Sequence, residues 1–407
     1  MLEFTQIGYL EEPLQKCLEI AAEEPLRPCL FVGSSDTEVD AFVALAAEFR
    51  FIRPAEDVVC NGMKCKSKRA HMTHLLSDGK NVAIKGSLFN YCDDALLKVI
   101  RYNGYTLISV GDSIFWSDRI KKYIPANVDE AIRRKQLIPV AQDTFVMSPA
   151  HKAEYVLGMM GISEHTYNDR LLIRLTAYKT AAMYWTPQPQ IVDAFRSIRI
   201  VHCLPAASPL AAYLRIFGVQ PKIEECGRQR NSELASLLGI VLDEKYNAKG
   251  TDSAAFSTRW YMRNEGMAAE VFKDMRNVLI HTPSGGEKSA LVAYAMPNDI
   301  LSAMEDDMVR PVFRGRGFLA IPEAECEDYS SARVLCYCAN THFPVAGAGY
   351  LRNNGAALDG DAYSLCHMLR WISRSAVRIG EPVTVYVPSK RMRGLLENWI
   401  EEQGVSD

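Results

Sequence analysis

The sequence predicts an α/β protein with two parallel sheets, and three observations support that prediction. Short apolar segments rich in β-formers alternate with amphipathic helical segments along most of the chain. The strand segments are near-continuous hydrophobic runs, which is typical of parallel strands whose two faces are both covered by helices. The chain has 407 residues and 48% of them are hydrophobic, which is enough apolar material for two packed cores.

The individual elements follow from the local pattern of apolar residues. The segments predicted as strands are CLFVG (29–33), NVAIK (81–85), YTLISV (105–110), IRIVHCL (198–204), NVLIH (277–281), GFLAIP (317–322), ARVLCYC (332–338) and VTVYVP (383–388). Helical spacing is found in VDAFVALAAEFRF, DDALLKVIRYNG, SPLAAYLRIFG and LCHMLRWISRSAVR. The segment 222–264 is polar and lacks a strand pattern, so we interpret it as a linker with a small helix. The predicted domains are 1–210 and 271–407, joined by a linker region at 211–270.

Charge and composition limit the classes of function. The net charge is -3, from 46 basic and 49 acidic residues, so any attraction to nucleic acid must come from local patches. The first residues lack the basic and apolar regions of a secretory signal, and no apolar run reaches the length of about 18 residues that a membrane-spanning helix needs. We therefore expect a soluble cytoplasmic protein with no membrane partner. The 11 cysteines are scattered, which favours reduced thiols over a disulfide framework.

The stretch TPSGGEKSALVAY (282–294) is the one glycine-rich candidate for a phosphate loop. A Walker A loop requires GxxxxGK followed by Ser or Thr, because the lysine and the hydroxyl must directly follow the last glycine. Here Glu287 separates Gly286 from Lys288, and no GK pair in the chain is followed by Ser or Thr. We interpret residues 283–289 as a turn before a helical run, SALVAYAM.

Several segments, in a shared order, resemble a superfamily 2 DEAD/DEAH-type helicase-like family of phages and mobile elements. The resemblance lies in NVAIKGSLFNYCDDALLKVIRYNGYTLIS, in YWTPQPQIVDAFRSIRIVHCLPAASPLAAYLRIFGV, in GFLAIPEAECEDYSSARVLCYCAN and, most closely, in LCHMLRWISRSAVRIGEPVTVYVPSKRMRGLL. It spans roughly residues 30–400. The resemblance implies two tandem RecA-like domains, each with a mostly parallel sheet.

The same resemblance shows where the nucleotide machinery would lie, and the sequence departs from the family there. Glu38 stands where the family has the phosphate-loop lysine, and Val110 and Gly111 stand where it has the Walker B acids. Ala324 replaces the arginine of motif V. Asp112 substitutes for a Walker B acid only if the register slips by one or two residues. We therefore expect degenerate NTPase motifs, no catalytic residues and no cofactor.

One motif of the family is kept, and it forms the larger of two basic zones. Arg374 and Arg378 match the motif VI arginines, and Arg370 replaces a glutamine; a spacing of four predicts one helical face. In an active relative, such arginines stabilise charge on a γ-phosphate. Here they are either a basic solvated face or the remnant of an anion site. The rest of this C-terminal basic zone is Lys390, Arg391 and Arg393.

The second basic zone is KCKSKRAHMTHLL (64–76), which opens with Lys64, Lys66, Lys68 and Arg69. A zinc site is the alternative to a basic helix face, because Cys60, Cys65, His71 and His74 lie in or next to this zone. The separation of the two histidines is shorter than structural zinc sites usually show, so we expect no metal.

These observations predict a non-catalytic helicase-like protein that binds a nucleic-acid backbone or a protein partner. Two alternatives stay open: an ATP-dependent helicase with unconventional nucleotide-binding motifs, and a module that only binds proteins. The basic zones are the expected contacts for nucleic acid.

Overall fold

A computed structural model describes residues 2–60, 62–89, 91–114, 117–122, 125–141, 144–147, 171–175, 180–185, 190–281, 290–294, 317–320 and 330–404. The chain divides into two compact units. The first unit comprises Met1–Gln6, Glu12–Glu225 and Pro344–Leu358; the second comprises Ile7–Glu11, Cys226–Phe343 and Asp359–Asp407. Each unit therefore includes a short segment from the opposite half of the sequence.

The strands and helices have the following bounds. The strands are β1 (Leu2–Gln6), β2 (Cys29–Gly33), β3 (Val58–Cys60), β4 (Met63–Cys65), β5 (Val82–Lys85), β6 (Thr106–Val110), β7 (Ser117–Lys122), β8 (Leu137–Ala141), β9 (Thr144–Met147), β10 (Leu171–Leu175), β11 (Thr180–Trp185), β12 (Ser197–His202), β13 (Lys222–Glu225), β14 (Leu238–Ile240), β15 (Ala290–Tyr294), β16 (Gly317–Ala320), β17 (Val334–Cys338) and β18 (Val383–Tyr386). The α-helices are α1 (Pro13–Glu23), α2 (Asp36–Leu45), α3 (Lys68–Ser77), α4 (Gly86–Phe89), α5 (Asp94–Asn103), α6 (Pro125–Arg133), α7 (Ile191–Ala194), α8 (Pro209–Ile216), α9 (Arg228–Ser236), α10 (Glu244–Asn247), α11 (Thr258–Arg263), α12 (Glu265–His281), α13 (Val345–Asn353), α14 (Gly360–Ile372) and α15 (Lys390–Glu402). Short 3₁₀ helices lie at Ala47–Phe49, Pro205–Ala207, Ala248–Gly250 and Ala376–Ile379.

The first unit contains a parallel sheet with the strand order β13-β1-β12-β6-β2-β5. The predicted strand at Thr106–Val110 is β6, which is fully flanked by β12 and β2. Every residue of β2 and of β6 is buried, as expected for strands covered on both faces. Helix α2 packs on this sheet through Phe42, whose ring stacks on Phe31 with 3.8 Å between ring centroids.

The second unit contains a parallel sheet with the strand order β14-β18-β17-β15-β16. The predicted strand at 383–387 is β18, which lies between β14 and β17. The prediction of an α/β protein with two mostly parallel sheets is therefore confirmed.

A third sheet was not predicted from the sequence. Strands β7 to β11, which follow β6 and precede β12, form an antiparallel sheet in the order β7-β11-β10-β9-β8. Its first strand, SDRIKK, has neither the apolar run nor the alternation that signals a strand. The first unit is thus a parallel sheet with an antiparallel insertion.

Two neighbouring predictions of secondary structure are wrong, and they are wrong in opposite directions. NVLIH (277–281) is the end of helix α12 and not a strand. ALVAY (290–294), predicted as helical, is strand β15 between β16 and β17. Short apolar runs are compatible with both the helical and the strand period. In the structure, α12 buries Val271, Met275 and Val278, which are spaced as one face of a helix.

The region 211–270 is more than a linker. Its segment β13 pairs with β1 at the edge of the first sheet, and its segment β14 pairs with β18 at the edge of the second. The boundary between the two units falls at residues 225 and 226. Within the part of the chain that the structure describes, no helix has the length and the apolar character needed to cross a membrane.

Candidate anion and nucleotide site

The turn between β2 and α2 lies where the family resemblance predicts a phosphate loop. Ser35 is the N-cap of α2, and its Oγ accepts a hydrogen bond from the backbone N of Glu38 at 3.1 Å. The Glu38 carboxylate bends back over the turn, where its Oε2 accepts from the backbone N of Ser34 at 2.5 Å and from Ser34 Oγ at 2.9 Å. The arrangement resembles a capping box, except that the carboxylate accepts from Ser34, the residue before the N-cap; the helix thus supplies an anion to its own N-terminus.

Two cations lie beside this helix start, and they are paired with acids of α2. Arg53 forms ion pairs with Asp36 at 2.5 Å and with Asp40, and Lys85 Nζ lies 3.5 Å from Asp36. Partial burial raises the pKa of Asp36, but Lys85 and Arg53 outweigh it and the pKa lies below its ordinary value. The positive charge near the loop is therefore already matched by the chain's own carboxylates.

Replacing Glu38 with alanine should lower the free energy of unfolding by about 1 kcal/mol, because the turn before α2 loses the carboxylate that accepts from Ser34. Urea unfolding followed by circular dichroism measures the loss. Glu48→Ala, a change at an exposed acid after the same helix, is the matched control. Equal unfolding midpoints for the two variants would show that the Glu38 contacts do not stabilise the turn.

The end of β6 lies where the family resemblance places the Walker B acids. Val110 is buried, and Gly111 adopts a left-handed backbone with φ 56° and donates its N–H to the carbonyl of Val201 at 2.8 Å. Neither residue has a side chain that ligates a metal. The first carboxylate after the strand is Asp112.

Asp112 is held in a cluster of polar groups at the start of α8. Its Oδ1 accepts from Ser208 Oγ at 2.5 Å and from the backbone N of Leu210 at 3.2 Å, and its Oδ2 lies 3.5 Å from His202 Nε2. Ser208 Oγ in turn caps α8 by accepting from the backbone N of Ala211. Burial opposes ionisation of Asp112, but its bonds with His202, Ser208 and Leu210 outweigh burial and lower its pKa.

The tautomer of His202 follows from its second contact. His202 Nδ1 accepts the backbone N–H of Leu204 at 2.9 Å, so the neutral ring carries its proton on Nε2, which faces Asp112. Both His202 and Ser208 are buried. Neither residue belongs to a motif that the family resemblance predicts, although Ser208 followed by Pro209 is a recognisable helix start.

The prediction that Arg370, Arg374 and Arg378 share one helical face is wrong, because α14 ends between the first and the second of them. Arg370 lies in the last helical turn, but the helix ends at Ile372, and Arg374 and Arg378 lie beyond it. Two serine hydroxyls donate to backbone carbonyls at the end of α14: Ser373 Oγ to that of Arg370, and Ser375 Oγ to that of Ile372. Arg370 and Arg374 are partly buried, and Arg378 is exposed.

Arg391 and Arg393 make contacts inside the second unit. Arg391 Nη1 donates to Asn340 Oδ1 at 2.8 Å, and its Nη2 donates to Asp361 Oδ1 at 2.6 Å and to Ser364 Oγ at 3.0 Å. Arg393 Nη1 donates to a backbone carbonyl at 3.0 Å, and 15% of its side chain is exposed. Of the last three residues in this basic zone, Lys390 alone is exposed.

The N-terminal basic zone is more accessible than the C-terminal one. Lys64 pairs with Asp57 at 2.9 Å, and Arg69 pairs with Asp93 at 2.9 Å while lying over the Tyr91 ring. The remaining two cations are Lys66 and Lys68, which are exposed and form no ion pair with the residues described.

The residues considered for zinc have other contacts. His71 is buried, and its Nδ1 accepts the backbone N–H of Ala55 at 2.9 Å. His74 Nε2 lies 3.4 Å from Asp78. Among the described residues, no group of three or more His, Cys, Asp or Glu side chains is arranged to hold a metal ion.

Two positions of interest lie outside the described residues: Ala324, at the expected motif V, and the glycine-rich turn at 283–289. Both stay predictions from the sequence.

Comparison with known proteins gives a family match for the C-terminal part of the chain. Residues 232–400, less than half of the chain, match the YonV C-terminal Rossmann-like domain family. The SPbeta prophage-derived uncharacterized protein YonV of Bacillus subtilis (strain 168) is 41% identical over 88 residues, which is 22% of this chain and 22% of the relative. The match therefore spans about a fifth of the length of that relative.

Two solved structures are similar over most of the chain at low identity. The structure of S. tokodaii Xpd4 aligns at 10% identity and a TM-score of 0.48, over 100% of this chain and 95% of that one. The crystal structure of T4 UvsW aligns at 8% identity and a TM-score of 0.26, over 98% of this chain and 72% of that one.

The family match and the prophage relative confirm two parts of the expected resemblance. The relative is of phage origin, and the matched domain is Rossmann-like, in agreement with the parallel sheet of the second unit. The degeneration of the nucleotide motifs stays a prediction.

Proposed function

We propose that this protein is a helicase-like scaffold that binds nucleic acid and does not hydrolyse nucleotides. The observation that carries the proposal is the Glu38 carboxylate, which accepts the Ser34 backbone N–H in the turn where a phosphate loop would bind phosphate. Phosphate loops work because free backbone N–H groups and a helix N-terminus face the anion. Here these groups already face an anion of the chain.

The same carboxylate opposes a bound phosphate by repulsion. Two unit charges about 4 Å apart interact with about 4 kcal/mol at the effective dielectric typical of a protein surface. Solvent and salt reduce this repulsion at an exposed turn, and the remainder still lowers the affinity for phosphate. A nucleotide phosphate in this turn would have to displace Glu38 or accept that repulsion.

The end of β6 supports the same conclusion. Hydrolysis in the resembled family needs carboxylates that order magnesium and the attacking water. Val110 and Gly111 supply none, and Asp112 is engaged with Ser208, Leu210 and His202. Both halves of the chemistry, phosphate binding and metal ordering, thus lack their usual groups.

One observation favours the second candidate, an ATP-dependent helicase with unconventional motifs. Asp112 stands two residues beyond the end of β6, its pKa is lowered, and about a quarter of its side chain is exposed. An ionised carboxylate at this place is what a metal would require. Magnesium-dependent hydrolysis that disappears in Asp112→Asn would support this candidate against the first.

Nucleic-acid binding should be weak, strongly salt-dependent and independent of sequence, because a few lysines and arginines supply most of the attraction. We expect dissociation constants on the order of 10 μM near physiological salt, within the range for non-specific binding. Fluorescence anisotropy of labelled single- and double-stranded oligonucleotides, titrated at several salt concentrations, measures this.

The salt series also shows how the proposal fails. Affinity that persists at high salt would contradict an electrostatic contact. Absence of binding to every oligonucleotide at low salt would contradict nucleic-acid binding and favour a scaffold for a protein partner.

A further inference from the structure

The two basic zones differ in what their cations already contact. In the C-terminal zone, Arg391 and Arg393 donate to groups of the second unit. In the N-terminal zone, Lys66 and Lys68 are exposed and form no ion pair with the described residues. A phosphate contact has a smaller free-energy cost where the cation does not have to give up a hydrogen bond within the protein. The N-terminal zone is therefore the better candidate for a nucleic-acid surface.

A small antiparallel ribbon precedes these lysines. Strands β3 and β4 pair with Val58 opposite Cys65, Val59 opposite Lys64 and Cys60 opposite Met63. Cys65 is buried at the base of this β3–β4 ribbon, which is followed directly by Lys66 and by α3. The ribbon thus has a fixed base and places its opposite end away from the core.

That opposite end exposes apolar side chains. Val59 is 67% exposed and Met63 is 64% exposed. They belong to neighbouring pairs of the ribbon, Val59 with Lys64 and Met63 with Cys60, so they project from its two faces. Exposed apolar groups beside lysines that form no ion pair with the described residues suit a ligand that offers both apolar surface and negative charge.

The charge around the ribbon decides what kind of ligand this is. Asp57 is paired with Lys64 and Asp93 with Arg69, whereas Lys66 and Lys68 are exposed and form no ion pair with a described acid. A single nucleic-acid strand carries phosphates along its backbone and offers unpaired base faces. Duplex stacking hides those faces, so duplex can use the lysines but not the apolar end.

We propose that the β3–β4 ribbon, together with Lys66 and Lys68, binds single-stranded nucleic acid. The two lysines contact phosphates, and Val59 and Met63 pack against unpaired bases, as apolar side chains do when they contact unstacked bases. The inference rests on the proposed function and names the surface that performs it.

The experiment separates the two contributions with two double variants of the full chain. Lys66→Ala with Lys68→Ala should weaken binding to single strands and to duplex about tenfold at low salt and reduce the salt slope by about 2, or about 1 for each lost phosphate contact. Val59→Ser with Met63→Ser should leave the salt slope unchanged and remove a preference of about fivefold for single strands over duplex, since about 1 kcal/mol of base contact is lost.

Lys245→Ala is the matched control, because it removes an exposed lysine of α10 that belongs to neither basic zone. It should change affinity less than twofold. Far-UV circular dichroism checks that the variants fold, which the exposure of all four substituted side chains favours.

The outcomes separate the inference from the proposed function. If the wild-type chain binds oligonucleotides and both double variants bind equally well, the ribbon is not the surface and the inference is overturned, while nucleic-acid binding stands. A large loss in Lys390→Ala, which removes an exposed lysine of the C-terminal zone, with none in the ribbon variants moves the surface to that zone and also overturns it. If the wild-type chain binds no oligonucleotide, the proposed function itself fails, and the inference fails with it.

Discussion

Asp112→Ala should lower the free energy of unfolding of the first unit by about 3 kcal/mol, because it leaves buried donors without their acceptor. Ser208 Oγ, the Leu210 backbone N–H and His202 Nε2 all face this carboxylate, and Ser208 is fully buried. Urea unfolding followed by circular dichroism measures the change. Asp129→Ala, at an exposed acid of α6, is the matched control and should lie within about 0.5 kcal/mol of the wild type.

The pH dependence of this stabilisation has a definite sign. The pKa of Asp112 in the folded protein lies below its ordinary value of 3.8, so the folded state binds a proton less readily than the unfolded state. The contribution is therefore complete above the unfolded value and is lost as the pH falls from about 4 through the lower folded value. The stability difference between the wild type and Asp112→Asn should shrink over that window. A difference that stays constant, or grows, below pH 4 would contradict the role of the charged carboxylate.

Arg391→Ala should lower the free energy of unfolding of the second unit by about 2 to 3 kcal/mol. It removes hydrogen bonds to Asn340, Asp361 and Ser364, of which Ser364 is fully buried. The expected loss is moderate because the Asp361 side chain is 63% exposed and its charge stays solvated. Lys390→Ala, one residue away and exposed, is the control and should leave stability within about 0.5 kcal/mol.

A second readout separates lost charge from lost packing. Burial and the positive charge of Arg391 lower the pKa of His342, and Asp361 acts in the opposite direction. Replacing Arg391 with an uncharged residue should therefore raise the pKa of His342, which NMR titration measures. An unchanged or lower pKa would mean that the guanidinium does not face that ring.

The parallel sheets could be predicted because their strands are buried on both faces. CLFVG and TLISV are uniformly apolar or small, and they match β2 and β6 within a residue. The sequence could not show that 277–281 is helical and that 290–294 is a strand, because apolar runs of five residues fit both the helical and the strand period. Only the pairing of β15 with β16 and β17 distinguishes the two. The antiparallel insertion could not be recognised, because β7 lacks the alternation of apolar and polar residues that indicates a strand.

The sequence supplied candidate positions for the site but not their contacts. The sequence identified Glu38 as a reversed charge, but it did not show that the carboxylate accepts from Ser34, although the Ser35 and Glu38 spacing is that of a capping box. The spacing of four predicted that Arg370, Arg374 and Arg378 lie on one face of a helix, but α14 ends at Ile372, before the last two of them. Nothing local in the sequence joins Asp112 to His202 and Ser208, since these contacts span about 90 residues and depend on the parallel pairing of β6 with β12.

The most direct test of the central claim is phosphate release from ATP and GTP by the purified chain with magnesium, measured with and without single- and double-stranded oligonucleotides. We expect release no faster than in buffer alone, because Glu38 occupies the turn and Val110 and Gly111 cannot order a metal. Glu38→Lys should be equally inactive, since restoring one charge does not restore the missing carboxylates. Multiple turnovers by the wild type that are lost in Arg374→Ala or in Asp112→Asn, and kept in Asp129→Ala, would contradict the account and establish the helicase alternative.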